Sequence, residues 1–278
     1  MPRPPVYFVS HGGPNTMYER THPVWPRLTS IGLEITQHVK PAAIVVFSAH
    51  WQATKPGTIE VNVSESHPLY YDFYGFPRHY YFEKFPHKGS VEVAEKVVAC
   101  LEGAGGWEVV REERGLDHGV FVPFKIMFGE GNELGDIPVV QVSLCEDEND
   151  AEAHLRLGRA VEGLRDQNIC VVVSGMAVHN LKEYFGRTPG DNAPKAYAVS
   201  FDGALVEAVG KRPGEERNQA MKALLGRGDA RKAHPTFEHL LPIFVGAGAA
   251  GSDPGRCLWT MPEGSMSWGQ YRFGEVAG

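Results

Sequence analysis

Apolar, β-branched runs alternating with helical periodicity constrain this chain more than any other feature. The runs fall at Val6–Val9, Ala43–Phe47, Trp107–Val110, Val139–Leu144 and Ile169–Ser174. Between them, apolar residues recur at helical spacing. Thr21-His22-Pro23 reads as a helix start leading into Val24–Val39, with Pro41 beyond its end. Ser90 caps a second helix with Val91, Ala94, Val97, Val98 and Leu101 on one face, and Asp150 opens a third. Later helices are expected over Pro194–Val209 and Glu215–Leu225. Strands alternating with helices indicate an α/β fold: a mainly parallel or mixed central sheet flanked by helices. No repeat or interdomain linker interrupts it, so residues 1–278 read as a single domain.

The same runs deliver histidine. His11 follows Val6–Ser10 directly and precedes Gly12-Gly13-Pro14, which lets the backbone turn and leaves the imidazole unobstructed. His50 closes AIVVFSAH, with Trp51 beside it as a possible wall for a ring-shaped pocket, and His179 lies beyond VVVSG. In open α/β sheets, ligands bind in the crevice at the carboxyl ends of the strands. Imidazole is both the commonest metal ligand and a proton carrier near neutral pH. His118, in Gly115-Leu116-Asp117-His118-Gly119, reads as an exposed polar corner where a capping role competes with a functional one. In Ala233–His239, His234, Glu238 and His239 compete for one role. His22, His38, His79, His87 and His154 read as surface or structural, with His67 undecided.

Ligands so scattered rule out the local zinc signatures, since neither HExxH nor finger spacing occurs. Three imidazoles, or two and a carboxylate, leave open positions on a metal, which suits non-haem Fe(II) as well as catalytic zinc. Gly246–Gly251 satisfies GxGxxG, but Ser252-Asp253-Pro254-Gly255 breaks the chain where a dinucleotide fold needs a helix. No GxSxG or P-loop is present.

Composition narrows the setting. A formal charge of −7 without a basic run argues against nucleic acid. The N-terminus is too short in its apolar part for a secretory signal, and nothing approaches a membrane span. Cys100, Cys145, Cys170 and Cys257 are isolated and read as reduced core thiols, so a cytoplasmic protein is expected, and Asn62-Val63-Ser64 is no glycosylation site. Nothing in the sequence sets an oligomeric state. Ser64–Gly89, dense in Tyr and Phe, has no clear periodicity and reads as a long functional loop.

Taken together, SHGGP, FSAHW, YYDFYGFP, RGLDHGVFVPFKIMF, DIPVVQVSL, VSGMAVHNL and AHPTFEHLLPIFVGAGAAG resemble the class III (LigB-type) extradiol ring-cleaving dioxygenases, in the DODA-type branch known for DOPA 4,5-dioxygenase. The resemblance implies a LigB-like fold and a mononuclear metal held by His11, His50 and His239, with Glu238 as the substitute for His239. It implies His179 as acid/base and His118 as a second active-site histidine near the substrate. Where some relatives carry Trp after the DHG motif, this chain has Val120-Phe121. The implied reaction cleaves a catechol, such as DOPA or a related catecholic acid, with O2 to a semialdehyde. Fe(II) is required because reaction of triplet O2 with a closed-shell ring is spin-forbidden. Zn(II) has no accessible redox change, yet its affinity for nitrogen sites makes its carry-over into purified protein expected. The rival readings are a zinc hydrolase using the same histidines and a metal-binding relative that has lost catalysis. The complete histidine set weighs against loss.

Overall fold

The computed structural model describes residues 3–188 and 190–276. Its strands are β1 (Val6–Ser10), β2 (Ala43–Gln52), β3 (Thr58–Asn62), β4 (Glu108–Glu112), β5 (Val139–Leu144), β6 (Ile169–Gly175), β7 (Val178–His179), β8 (Gly255–Trp259), β9 (Pro262–Glu263), β10 (Met266–Ser267) and β11 (Gln270–Phe273). The helices are α1 (Val24–Leu33), α2 (Val91–Ala104), α3 (His118–Phe128), α4 (Ala151–Val161), α5 (Leu181–Gly186), α6 (Ala196–Val209), α7 (Glu215–Leu225), α8 (Ala230–Ala233) and α9 (Pro242–Ala249).

Eight strands form one sheet in the order β4-β3-β5-β2-β6-β1-β11-β8. Its centre, β5-β2-β6-β1, is parallel, as the α/β pattern predicts. The flanks are not: β3 runs antiparallel to β5, and β11 runs antiparallel to both β1 and β8. The sheet is therefore mixed. Successive residues of the central strands feed opposite cores. Val6, Phe8, Val45, Phe47, Val171 and Val173 pack with α2, α4 and α9, while Tyr7, Val9, Ile44, Val46 and Val172 pack with α1 and α3. A strand buried on both faces needs no polar alternation, which is why these runs stand out as continuous apolar stretches.

Ser90 and Asp150 cap as expected, their side chains accepting from the Val93 and Ala153 amides at 3.2 and 2.8 Å. The helix expected over Val24–Val39 is divided. After Leu33 the backbone widens into a π-turn over Glu34–Val39, which Lys40 ends in the left-handed region at φ 48°. The Gly246–Gly251 stretch lies largely in α9, packed so closely on α4 that a Cβ on Gly248 would meet the Leu155 carbonyl at 2.1 Å. These glycines serve helix packing. No helix among the described residues is long and apolar enough to cross a membrane, and all four cysteines are unpaired.

Candidate metal centre and active site

The parallel centre of the sheet brings its histidines to one edge. His11 leaves β1, His50 lies near the end of β2, and the turn carrying His239 is tied to the end of β6 by a Met176 N–H to His239 carbonyl bond of 2.8 Å. Their rings form a nearly even triangle, with centroids 5.0, 4.9 and 5.3 Å apart for the 11–50, 50–239 and 11–239 pairs. Two glycines make room. Gly12 takes φ 65°, and a Cβ there would strike Trp268 at 2.5 Å. A Cβ on Gly119 would lie 2.8 Å from the His50 ring.

Each of the three rings has an acceptor at Nδ1. His11 faces the Gly12 carbonyl at 3.2 Å, His50 an oxygen of Asp72 at 3.1 Å, and His239 an oxygen of Glu238 at 2.9 Å. An imidazole that donates through Nδ1–H presents a bare lone pair at Nε2. The Nε2 atoms of His50 and His239 face each other at 3.2 Å, and the buried Nε2 of His11 has no partner among the described residues. Convergent lone pairs repel unless a cation sits between them. The donor set therefore fits a metal ion of borderline softness. Burial, together with the neighbouring imidazoles, holds His11 well below its ordinary pKa, and burial carries His239 down to about 4, both favouring neutral, metal-ready rings.

His118 is not the exposed corner expected from its flanking glycines. It is the first residue of α3 and is buried, with its ring 3.9 Å from that of His50. The cause is Asp72, 46 residues upstream, which takes the His118 amide at 2.9 Å and Nδ1 at 2.8 Å on one oxygen, and His50 on the other. Burial raises the cost of the charge on Asp72, but bonds from His118 and His50 hold its pKa well below the usual carboxylate range. The positive end of α3 favours the same charge. Sequence reasoning missed Asp72, although it lies in the quoted YYDFYGFP stretch; a lone acid in an aromatic loop gives no local signal. Asp72→Asn supplies one acceptor and one donor where two ring N–H groups point, so one ring must change tautomer. Metal affinity is expected to fall roughly 10–100-fold, measured by competition with a chelator, and Asp72→Ala should fall at least as far.

His179 sits in β7, in a second sheet ordered β7-β10-β9. Its ring stacks on that of His239 with centroids 3.5 Å apart and planes 17° apart. His234 stays out of the centre: its Nε2 meets the Ala177 carbonyl at 3.0 Å in a fully buried setting. Glu238 binds the Nδ1 side of His239, away from the facing Nε2 atoms, and so backs that ring. Trp51 does not wall a pocket beside His50. Adjacent strand residues face opposite sides, and its indole donates to Glu60 at 2.7 Å under the Arg114 guanidinium. From the aromatic loop, Phe73 does reach the site, 5.7 Å from His118, whereas Tyr74 is exposed.

Residues 1–266 match the family described as the catalytic LigB subunit of aromatic ring-opening dioxygenase, and the chain belongs to that family. It is thus an aromatic ring-opening dioxygenase, acting on a small aromatic molecule with O2. Among its relatives, the 4,5-DOPA dioxygenase extradiol of Beta vulgaris is 35% identical over 271 residues, covering 96% of each chain. The Escherichia coli K12 protein of the same name is 32% identical over 252 residues, covering 89% of this chain and 85% of its own. A crystal structure of an uncharacterized Escherichia coli K12 protein superposes with a TM-score of 0.76 at 27% identity, covering 98% of this chain and 100% of that one.

Proposed function

We propose that the protein is a cytoplasmic, Fe(II)-dependent extradiol dioxygenase, a single catalytic domain that opens a catechol ring beside the diol. DOPA or a related catecholic acid is the substrate class. The observation that carries the reading is the 3.2 Å approach of two Nε2 atoms whose rings each turn Nδ1 to a carboxylate oxygen. His11, His50 and His239 are the ligands in this reading. Bound Fe(II) supplies the redox step that lets triplet O2 react with a closed-shell ring.

The remaining groups handle protons. His179, held neutral because burial and then neighbouring imidazoles push its pKa well down, would accept a catechol proton at its ring nitrogen and later return it. His118, with Nδ1 tied to Asp72, presents its Nε2 to the substrate oxygens. Phe73 offers an apolar face to the ring. Four unpaired thiols and a net charge of −7 support a reducing compartment and a small-molecule substrate over nucleic acid.

The test is anaerobic loading with Fe(II) or Zn(II), followed by O2 and a catechol panel. Fe(II) protein is expected to consume one O2 per ring cleaved, and Zn(II) protein none. Turnover by the zinc form without oxygen uptake would replace this reading with the hydrolase one.

A further inference from the structure

One cluster of charged groups beside the histidines has no part in metal binding or proton transfer. In the small sheet, His179 pairs across to Met266, and Met266 to Glu263. Residues directly opposite in antiparallel strands share a face. At two strand spacings, Glu263 stands about 10 Å from His179 along that row. A second route arrives at the same place from the other side of the centre. The glycine after His11 lies against the Trp268 ring, whose indole N–H donates to Glu263 Oε2 at 2.8 Å. His22 meets the same oxygen at 3.1 Å, its ring 4.4 Å from that of Trp268. Glu263 is thus linked to His179 along the sheet and to the His11 turn through Trp268.

Only one of its oxygens is occupied. Oε1 of Glu263 has no hydrogen bond among the described residues, and its side chain is 18% exposed, enough to meet a ligand. The His22 bond is the largest influence on its ionisation and holds it below the ordinary carboxylate range, with Trp268 and the charge of Arg187 acting the same way against burial. Arg187 is the complement. It follows α5, and its Cδ comes within 3.9 Å of where a Cβ would stand on Gly264. Nη1 donates to the Tyr184 carbonyl at 2.6 Å and the guanidinium lies 3.6 Å from the centre of the Tyr184 ring, while the buried Nε has no partner among the described residues. A buried donor without an acceptor is costly unless a ligand completes it.

We propose that Glu263 and Arg187 are specificity-determining residues that read a zwitterionic amino-acid arm on the aromatic ring. Glu263 Oε1 takes the ammonium and Arg187 the carboxylate, while His22 and Trp268 position Glu263. This rests on the dioxygenase reading and adds which residues select the substrate. The span of about 10 Å suits a ring at the metal with a short arm lying along the β7-β10-β9 sheet.

The experiment compares 3,4-dihydroxyphenylalanine, dopamine, 3,4-dihydroxyphenylpropionate and 4-methylcatechol. It measures kcat/KM with Fe(II)-loaded protein and Kd by calorimetry with Zn(II)-loaded protein. The wild type should prefer the zwitterion to 4-methylcatechol. Glu263→Gln keeps the shape and an acceptor for Trp268, yet should cut the preference for the zwitterion and for dopamine over 4-methylcatechol roughly 10–100-fold. Arg187→Gln should do so for the zwitterion and the propionate, with Arg187→Lys partly restoring it. A wild type without preference, or variants that keep it, overturns the proposal even if every catechol is cleaved. A wild type that cleaves none of the four overturns the dioxygenase reading instead, and the calorimetry then decides the subsite independently.

Discussion

Alanine at His11, His50 or His239 is expected to empty the centre, whereas alanine at His234 leaves it filled. Each of the first three removes one of the converging Nε2 lone pairs. Losing an outer hydrogen bond to a metal-binding histidine already costs roughly 10–100-fold in affinity, and losing the donor itself should cost more. His234 differs in kind. Its Nε2–H is spent on the Ala177 carbonyl at 3.0 Å, and its ring packs beside Phe201 with centroids 5.2 Å apart. Its removal leaves a cavity and an unsatisfied carbonyl, so the Tm should drop while metal per protein holds. Elemental analysis after loading, paired with thermal unfolding, separates the two results. A metal-free His234→Ala beside a fully loaded His239→Ala would reverse the assignment.

His179→Ala is expected to keep most of its metal and lose about 10²–10⁴-fold in turnover, the range for general acid–base groups. The His179 ring stacks on His239 at 3.5 Å rather than completing the triangle of facing rings. Removing it takes away the proposed proton carrier while the three converging Nε2 atoms stay. Single-turnover product formation after anaerobic Fe(II) loading gives the loss in chemistry, and metal analysis of the same sample gives the occupancy. A metal-free His179→Ala protein would make this residue a fourth ligand and leave the acid/base work to His118.

What the sequence made legible was local. A histidine at the end of an apolar run announces itself within ten residues, and capping by Ser90 or Asp150 within four. Partners distant along the chain were hidden. Thr58–Asn62 is a strand that the apolar runs do not announce, because Glu60 and Asn62 alternate with its apolar residues. They are buried only because Trp51 and Thr54 bond to Glu60, and Asn62 binds the Arg114 carbonyl. Gln270–Phe273 hides in the same way. Arg272 is buried against Glu34 at 2.7 Å, an ion pair 238 residues apart in sequence. His118 looked exposed because glycines flank it, and Asp72, which draws it inward, lies far upstream. Trp51 looked like a pocket wall because adjacency in sequence was read as adjacency in space, which a strand denies.

The Asp72 bridge also binds two fates together. One carboxylate belongs to the loop that carries Phe73, and its two oxygens hold the His50 ring and the first residue of α3. Any free energy gained by organising those imidazoles is shared with the ordering of that loop, and linkage makes the exchange reciprocal. An aromatic guest that settles the loop is therefore expected to tighten the grip on the ion, and the ion to ready the loop for the guest. On that linkage the two small partners are expected to bind as a cooperative pair, coupled through one carboxylate.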